Sequence, residues 1–323
     1  MSDAGDRSSH EREDRGPSLR ALVTGGAGFI GSHVVDALVE DGAIVEVIDD
    51  LSRGRREQVN TSARLHVLDI TSPALAEVVI EFSPDVVFHH AAQMNLRASM
   101  SDPLLDARIN VLGSVNLLTA CVRAQTARVV FASTGGAVYG DTEVIPTPED
   151  HRPEPMSMYG AAKLAAEEYG FTFARNYPID FVALRYANVY GPRQDPHGEA
   201  GVVAIFSERL LSGNTAAITG DGCQTRDFVY VEDVVRANLL AAQGSVTTGA
   251  YNIGTGRETD INEIYRLIAQ ACGSDRPAQH IDAKPGEQRR SCLDIRRASE
   301  RLGWTPTADL ASGLARTVEY FRN

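Results

Sequence analysis

The chain of 323 residues is 43% hydrophobic and 23% charged, a globular composition with material for a sizeable core. By length it has room for about two domains. Its net charge of -12 argues against a nucleic-acid partner, which would demand cationic patches, but not against one small anionic ligand held in a local site. No apolar run reaches the roughly 18 residues of a membrane span. Met1 to Pro17 are charged, lack the apolar stretch of a signal peptide, and read as a disordered tail over residues 1–18. The four cysteines, Cys121, Cys223, Cys272 and Cys292, have no metal-ligand spacing and read as reduced thiols of a cytoplasmic protein.

In chain order, short apolar runs alternate with helical patterns from Arg20 to about Arg185. The runs are Ala21–Thr24, Val45–Asp49, Leu65–Leu68, Val86–His89, Val129–Ala132 and Phe181–Leu184. Apolar residues recur at helical spacing in Ile30–Glu40, Leu104–Ala124 and Tyr159–Arg175. Near-continuous apolar strands joined by helices predict an α/β fold, a Rossmann-type doubly wound parallel sheet covered on both faces. The pattern loosens over residues 186–231, where Gly, Pro and polar clusters surround one helix at Val202–Leu211. Further helices are expected at Val231–Gln243, Ile261–Cys272 and Leu310–Phe321, in a smaller C-terminal α/β part.

The first strand runs into Thr24-Gly25-Gly26-Ala27-Gly28-Phe29-Ile30-Gly31. Glycines at 25, 28 and 31 permit a tight turn, close approach of the backbone to a pyrophosphate, and close packing of helix on strand. The free N–H groups at the start of the helix, around Phe29 and Ile30, then face the phosphates. Asp49, ending the second strand, is placed to accept from the adenosine ribose hydroxyls. With Asp50 it repels a 2′-phosphate, which favours NAD over NADP, although Arg53, Arg55 and Arg56 act in the opposite sense. Asp69 and Ile70, after the third strand, either border the adenine or form a simple strand-end turn.

Only two of the 31 basic residues are lysines, Lys163 and Lys284. Lys163 lies four residues after Tyr159, so phenol and ammonium share one helix face. A phenol with its usual pKa near 10 is a poor base; a neighbouring ammonium and a nicotinamide cation would bring it towards neutrality. Upstream of Tyr159, the fifth strand ends in Ser133-Thr134-Gly135-Gly136. A hydroxyl at the carboxyl end of a parallel strand, from Thr134 or Ser133, can bond a reacting substrate hydroxyl or its carbonyl form, or merely cap the turn.

With His90-Ala91-Ala92-Gln93, Asn110, Arg185 to Arg193, Arg226 to Asp233, Tyr251 to Gly254 and Pro285 to Glu287, these segments resemble the extended short-chain dehydrogenase/reductase family. Within it they resemble the UDP-glucose 4-epimerase group, over about residues 20–322. The resemblance implies an NAD site that includes His90, Ala91, Ala92, Gln93, Asn110 and Tyr186, with Asn110 in a supporting role. For a UDP-sugar it implies Asn188 and Arg226 on the diphosphate, Val202 and Phe228 near the uridine, Glu287 on its ribose, and Arg289 or Arg290 on phosphate; Arg193 would lie near the sugar. It also implies a homodimer formed by the helices around Leu104–Ala124 and Met158–Arg175. The expected division is a cofactor domain of residues 19–185, to which 231–255 return, and a nucleotide-sugar domain of 186–230 and 256–323.

Relatives with this fold share oxidation at C4 of the sugar and differ afterwards. A 4,6-dehydratase places Asp-Glu after the strand-five Thr, and decarboxylating relatives have Glu nearby; here Gly135-Gly136-Ala137 follow, with no titratable group. That favours 4-epimerisation of UDP-glucose and UDP-galactose. Two departures from the family stand out. His90 replaces an apolar residue and bears on packing beside the pyrophosphate; Ser291 stands where some epimerases carry a bulky Tyr and leaves room for an N-acetyl group, which with Arg193 as a partner for a carboxylate keeps UDP-N-acetylhexosamine and UDP-glucuronate open as substrates. Outside enzymes, a non-catalytic NAD-binding sensor is the other reading, disfavoured by retention of the Tyr-Lys pair.

Overall fold

A computed structural model describes residues 18–197, 201–283 and 288–323. The predicted tail, as far as Pro17, and Glu287 lie outside the described residues.

In chain order the strands are β1 (Arg20–Thr24), β2 (Ile44–Asp49), β3 (Arg64–Val67), β4 (Val86–His89), β5 (Arg128–Thr134), β6 (Asp180–Tyr186), β7 (Asn188–Tyr190), β8 (Ala217–Thr219), β9 (Thr225–Arg226), β10 (Phe228–Tyr230), β11 (Gly249–Ile253), β12 (Thr259–Asp260) and β13 (Gln279–Ile281). The helices are α1 (Phe29–Glu40), α2 (Leu75–Phe82), α3 (Leu96–Ser101), α4 (Pro103–Ala107), α5 (Ser114–Arg123), α6 (Gly135–Val138), α7 (Met158–Asn176), α8 (Val202–Leu211), α9 (Val231–Ala241), α10 (Ile261–Cys272), α11 (Arg296–Leu302) and α12 (Leu310–Arg322). Seven strands form one parallel sheet in the order β11-β6-β5-β4-β1-β2-β3.

The sheet is doubly wound because its central strands are apolar on both faces. Ala21, Val23, Val47 and Phe88 pack on one side with Val34, Val35 and Trp304. Leu22, Ile48, Val87 and Phe131 pack on the other with Leu75, Leu117 and Phe181. Polarity therefore cannot alternate along β1 or β4, and the runs read as continuous. A third cluster, with Tyr190, Phe206, Phe228, Tyr230, Ile264 and Leu314, joins α8, α10 and α12 beside the carboxyl ends of the strands. The six predicted strands and the helices at Val202–Leu211 and Ile261–Cys272 stand where expected. The pattern Leu104–Ala124 is interrupted: a π-helical segment, Arg108–Gly113, lies between α4 and α5. Such a segment widens the helix and turns the side chains around it, often at functional sites.

Candidate active site

The carboxyl ends of β1, β2, β4, β5 and β6 open into one cleft that runs on between α8 and β8. At one end is the glycine turn. Gly25 has φ +71°, and a Cβ there would lie 2.6 Å from Ala91 N; one on Gly31 would lie 2.2 Å from Gly25 O. The turn is thus pressed between the β4 loop and α1, and only glycine permits it. Gly25, Gly28, Phe29, Ile30 and Gly31 all line the cleft.

Asp49 is buried, and its two carboxylate oxygens accept from Ala27 N at 3.0 Å and Leu51 N at 2.9 Å. Burial raises its pKa while these amides oppose the rise. It therefore braces the glycine turn as well as facing the cleft. Asp50 accepts from Ser52, Asp69 accepts from Thr71 N in a strand-end turn, and Ile70 is buried; all border the cleft. The glycine cradle and a carboxylate at the end of β2 fit a dinucleotide with a free 2′-hydroxyl.

His90, Ala91, Ala92 and Gln93 form the adjoining wall. Asn110 clamps this loop: its Oδ1 accepts from Gln93 N at 2.9 Å and its Nδ2 donates to Gln93 O at 2.9 Å. Asp106, buried one turn earlier, accepts from Asn110 Nδ2 and Gln93 Nε2. The imidazole of His90 stacks on Tyr186 with centroids 6.4 Å apart, which is how this polar residue packs in an apolar position. Burial, then the Lys163 charge, pushes His90 down to about 3, so the ring is neutral. Tyr186 is anchored by Asn238.

At the centre, Ser157 caps α7 by accepting from Gly160 N at 3.0 Å. Gly160 lets the helix approach α6, where a Cβ would lie 2.5 Å from Ala137 O. Tyr159 is thereby brought to the wall that carries Thr134, Gly136 and Asn188. Lys163, 3% exposed, donates to Ala132 O at 2.8 Å and lies 6.0 Å from the Tyr159 ring centroid. Burial brings Lys163 down to about 8, against opposing pulls from Glu167 and Asp106. Burial, reinforced by Asp106, raises the Tyr159 phenol above its ordinary value. The expected lowering by Lys163 is therefore not present in the protein alone: the ammonium is turned to a strand carbonyl, and desolvation dominates.

Ser133 and Thr134 separate. Both border the cleft, but Ser133 is buried and donates to Glu167 Oε1, while Thr134 is only partly buried, beside Gly136. A Cβ on Gly136 would have Thr134 Oγ1 and Asn188 Oδ1 at 3.9 Å.

In the substrate half, Asn188, Val202, Arg226 and Phe228 line the cleft. Arg193 also borders it, but its guanidinium pairs with Asp36 at 2.7 Å and donates to Ser32 at 3.1 Å, both on α1. Arg289 and Arg290 are half-exposed, paired with Asp221 at 2.8 Å and Glu258 at 2.5 Å, and absent from the cleft wall. Ser291 is buried and does not line the cleft either. Sequence reasoning missed Asp106 and Glu167; the available signal was a carboxylate four residues from Asn110 and from Lys163, respectively.

These features define a class: the chain belongs to the NAD dependent epimerase/dehydratase family, whose model matches residues 21–254. Among its relatives, a UDP-glucose 4-epimerase of Mycolicibacterium smegmatis is 47% identical, over 94% of this chain and 99% of that protein. A UDP-glucose 4-epimerase of Thermotoga maritima, solved with UDP-glucose, is 47% identical with a TM-score of 0.92, covering 94% of this chain and 99% of the other. A UDP-glucose 4-epimerase of Thermus thermophilus, solved with NAD, is 42% identical with a TM-score of 0.89 and the same coverage.

Proposed function

We propose that the chain is an isomerase, an NAD-dependent 4-epimerase that interconverts UDP-glucose and UDP-galactose. The observation that carries this reading is the wall between Thr134 and Asn188. It holds a phenol, an ammonium and a hydroxyl, but Gly135 and Gly136 where a dehydrating enzyme needs an acid and a base. When bound, NAD supplies a hydride acceptor and donor for the sugar C4 and a positive charge beside the phenol. Tyr159 Oη takes the proton of the sugar 4-hydroxyl and returns it after the 4-keto sugar has turned. Thr134 Oγ1 orients that oxygen, and Lys163 carries the charge that favours the phenolate. Asn188 and Arg226 hold the diphosphate, Val202 and Phe228 flank the uridine, and the bare glycines leave space for a turning ring.

Residues 19–185 and 231–255 are assigned to the cofactor part and residues 186–230 and 256–323 to the nucleotide-sugar part. Exposed apolar side chains on α4, α7 and the π-helical segment, including Leu104, Leu112 and Tyr169, support a homodimer through these helices. The free cysteines support a cytoplasmic location. Among the described residues no helix is long and apolar enough to cross a membrane.

The test is incubation of purified protein with a panel of UDP-hexoses, without added NAD, followed by product separation. Interconversion of UDP-glucose and UDP-galactose is expected. Turnover confined to UDP-glucuronate or a UDP-N-acetylhexosamine would move the assignment to that substrate, and NAD binding without turnover of any UDP-sugar would refute an epimerase.

A further inference from the structure

The segment after β7 runs from the wall that holds Asn188 to the glycine-turn end of the cleft, where contacts that the reaction above does not use fasten it to α1. Arg193 Nη1 pairs with Asp36 Oδ2 at 2.7 Å and donates to Ser32 Oγ at 3.1 Å. His33 Nε2 donates to the Pro192 carbonyl at 3.0 Å. Arg53, beyond β2, pairs more loosely with Asp195 at 3.7 Å. Ser32, His33 and Asp36 all stand on α1, and Ser32 Oγ donates in turn to Phe29 O in its first turn. The backbone bends to deliver the guanidinium: Arg193 has φ +67°, a left-handed conformation that a residue with a Cβ adopts rarely and at some cost in energy. Asp36 is set to receive it, since its other oxygen accepts from Asn60 Nδ2 at 2.9 Å. Each side chain of the pair is only 25% exposed, so solvent screens it less than a surface pair.

We propose that Arg193 and Asp36 are positioning residues: their pair latches the segment after β7 onto α1 and so retains NAD between turnovers. The glycine turn, the first turn of α1 and Arg193 to Asp195 line one and the same cleft. A dinucleotide seated on Gly28 to Gly31 is therefore bordered by the latched segment, and it leaves only when that segment parts from α1. The proposal deepens the epimerase reading and rests on it, because hydride returns to the sugar in each cycle and NAD has no need to leave. A contact that slows its release does not slow such a turnover. Charge alone predicts the opposite outcome for one partner. Asp36→Asn removes a negative charge from the helix that faces the pyrophosphate, which by simple attraction would hold NAD longer. If the carboxylate works through Arg193, the same change frees the segment and NAD leaves sooner.

The test loads the protein with NADH, adds excess NAD and follows the loss of bound-NADH fluorescence, which gives the release rate. Wild type is compared with Asp36→Asn, Arg193→Gln, the double variant, and Arg296→Gln, which breaks an exposed pair with Asp294 elsewhere. Asparagine keeps an oxygen for Asn60, and Arg193→Gly, which takes the left-handed backbone without strain, serves where Arg193→Gln fails to fold. Release is expected to quicken about 10-fold in each single variant, no further in the double variant, and not in Arg296→Gln. Turnover of Asp36→Asn with saturating NAD is expected to match wild type. Unchanged or slower release from folded Asp36→Asn, or effects of the two substitutions that simply add, would overturn the proposal. Wild type that holds NADH but turns over no UDP-sugar would instead refute the epimerase reading, whatever the release rates.

Discussion

Gly31→Ala is the sharpest probe of the cofactor end. Its Cβ would stand 2.2 Å from Gly25 O and 2.9 Å from Gly25 C, both backbone atoms. To restore an ordinary contact of about 3.4 Å, α1 must retreat by about 1.2 Å from the turn. Overpacking of this kind costs about 1–3 kcal/mol, whereas alanine in a helix gains up to about 1 kcal/mol over glycine. The net loss of stability is therefore expected at up to about 3 kcal/mol, since the atoms met are backbone. Binding is affected as well, since the amides of Phe29 and Ile30 move with the helix. A displacement near 1 Å is expected to weaken NAD binding about 10- to 100-fold, or about 1.4–2.8 kcal/mol. Calorimetric titration of NAD into NAD-free protein, with thermal melts of the same samples, measures both. Binding within a factor of about two of wild type, in a folded variant, would refute the assigned role of the turn.

Lys163→Met should abolish turnover without destabilising the NAD-free protein at pH 7. The folded-state pKa near 8 lies below the usual 10.5, so the penalty for burying the charge is fully present below pH 8 and fades between 8 and 10.5. The variant's advantage, on the order of 2 kcal/mol, should shrink as pH rises through that window, as melts at several pH values would show. Thr134→Val should lower turnover by about 10-fold or more, with Ser133→Ala milder, because the Ser133 hydroxyl is already given to Glu167; steady-state rates decide. Replacing Leu104 and Leu112 by Glu should yield monomers in sedimentation analysis if these exposed side chains meet a second copy.

The local features are legible in the sequence. Near-continuous apolar runs announce β1 to β6, broken only by single polar residues such as Glu46 and His66, and α10 begins at the Asp260 cap and ends at Gly273, as its residues require. The glycine turn is readable because its constraint lies within a few residues. What escapes depends on distant partners. Arg193 is bound to Asp36, 157 positions away, since 193 − 36 = 157. The hydroxyl of Ser133 is claimed by Glu167, and nothing in Ser133-Thr134 distinguishes the two. The eight-residue α2 has no side-chain cap at its N-cap residue Ala74, and its start is marked only by Ser72-Pro73, where Ser72 Oγ accepts from Ala74 N. Burial, not spacing, decides that the Tyr159 phenol lies above its ordinary pKa in the protein alone.

The most direct test of the central claim is Tyr159→Phe, with NAD content and UDP-galactose conversion measured on the same preparation. The account predicts that NAD remains bound and conversion is abolished. Conversion at the wild-type rate would contradict it.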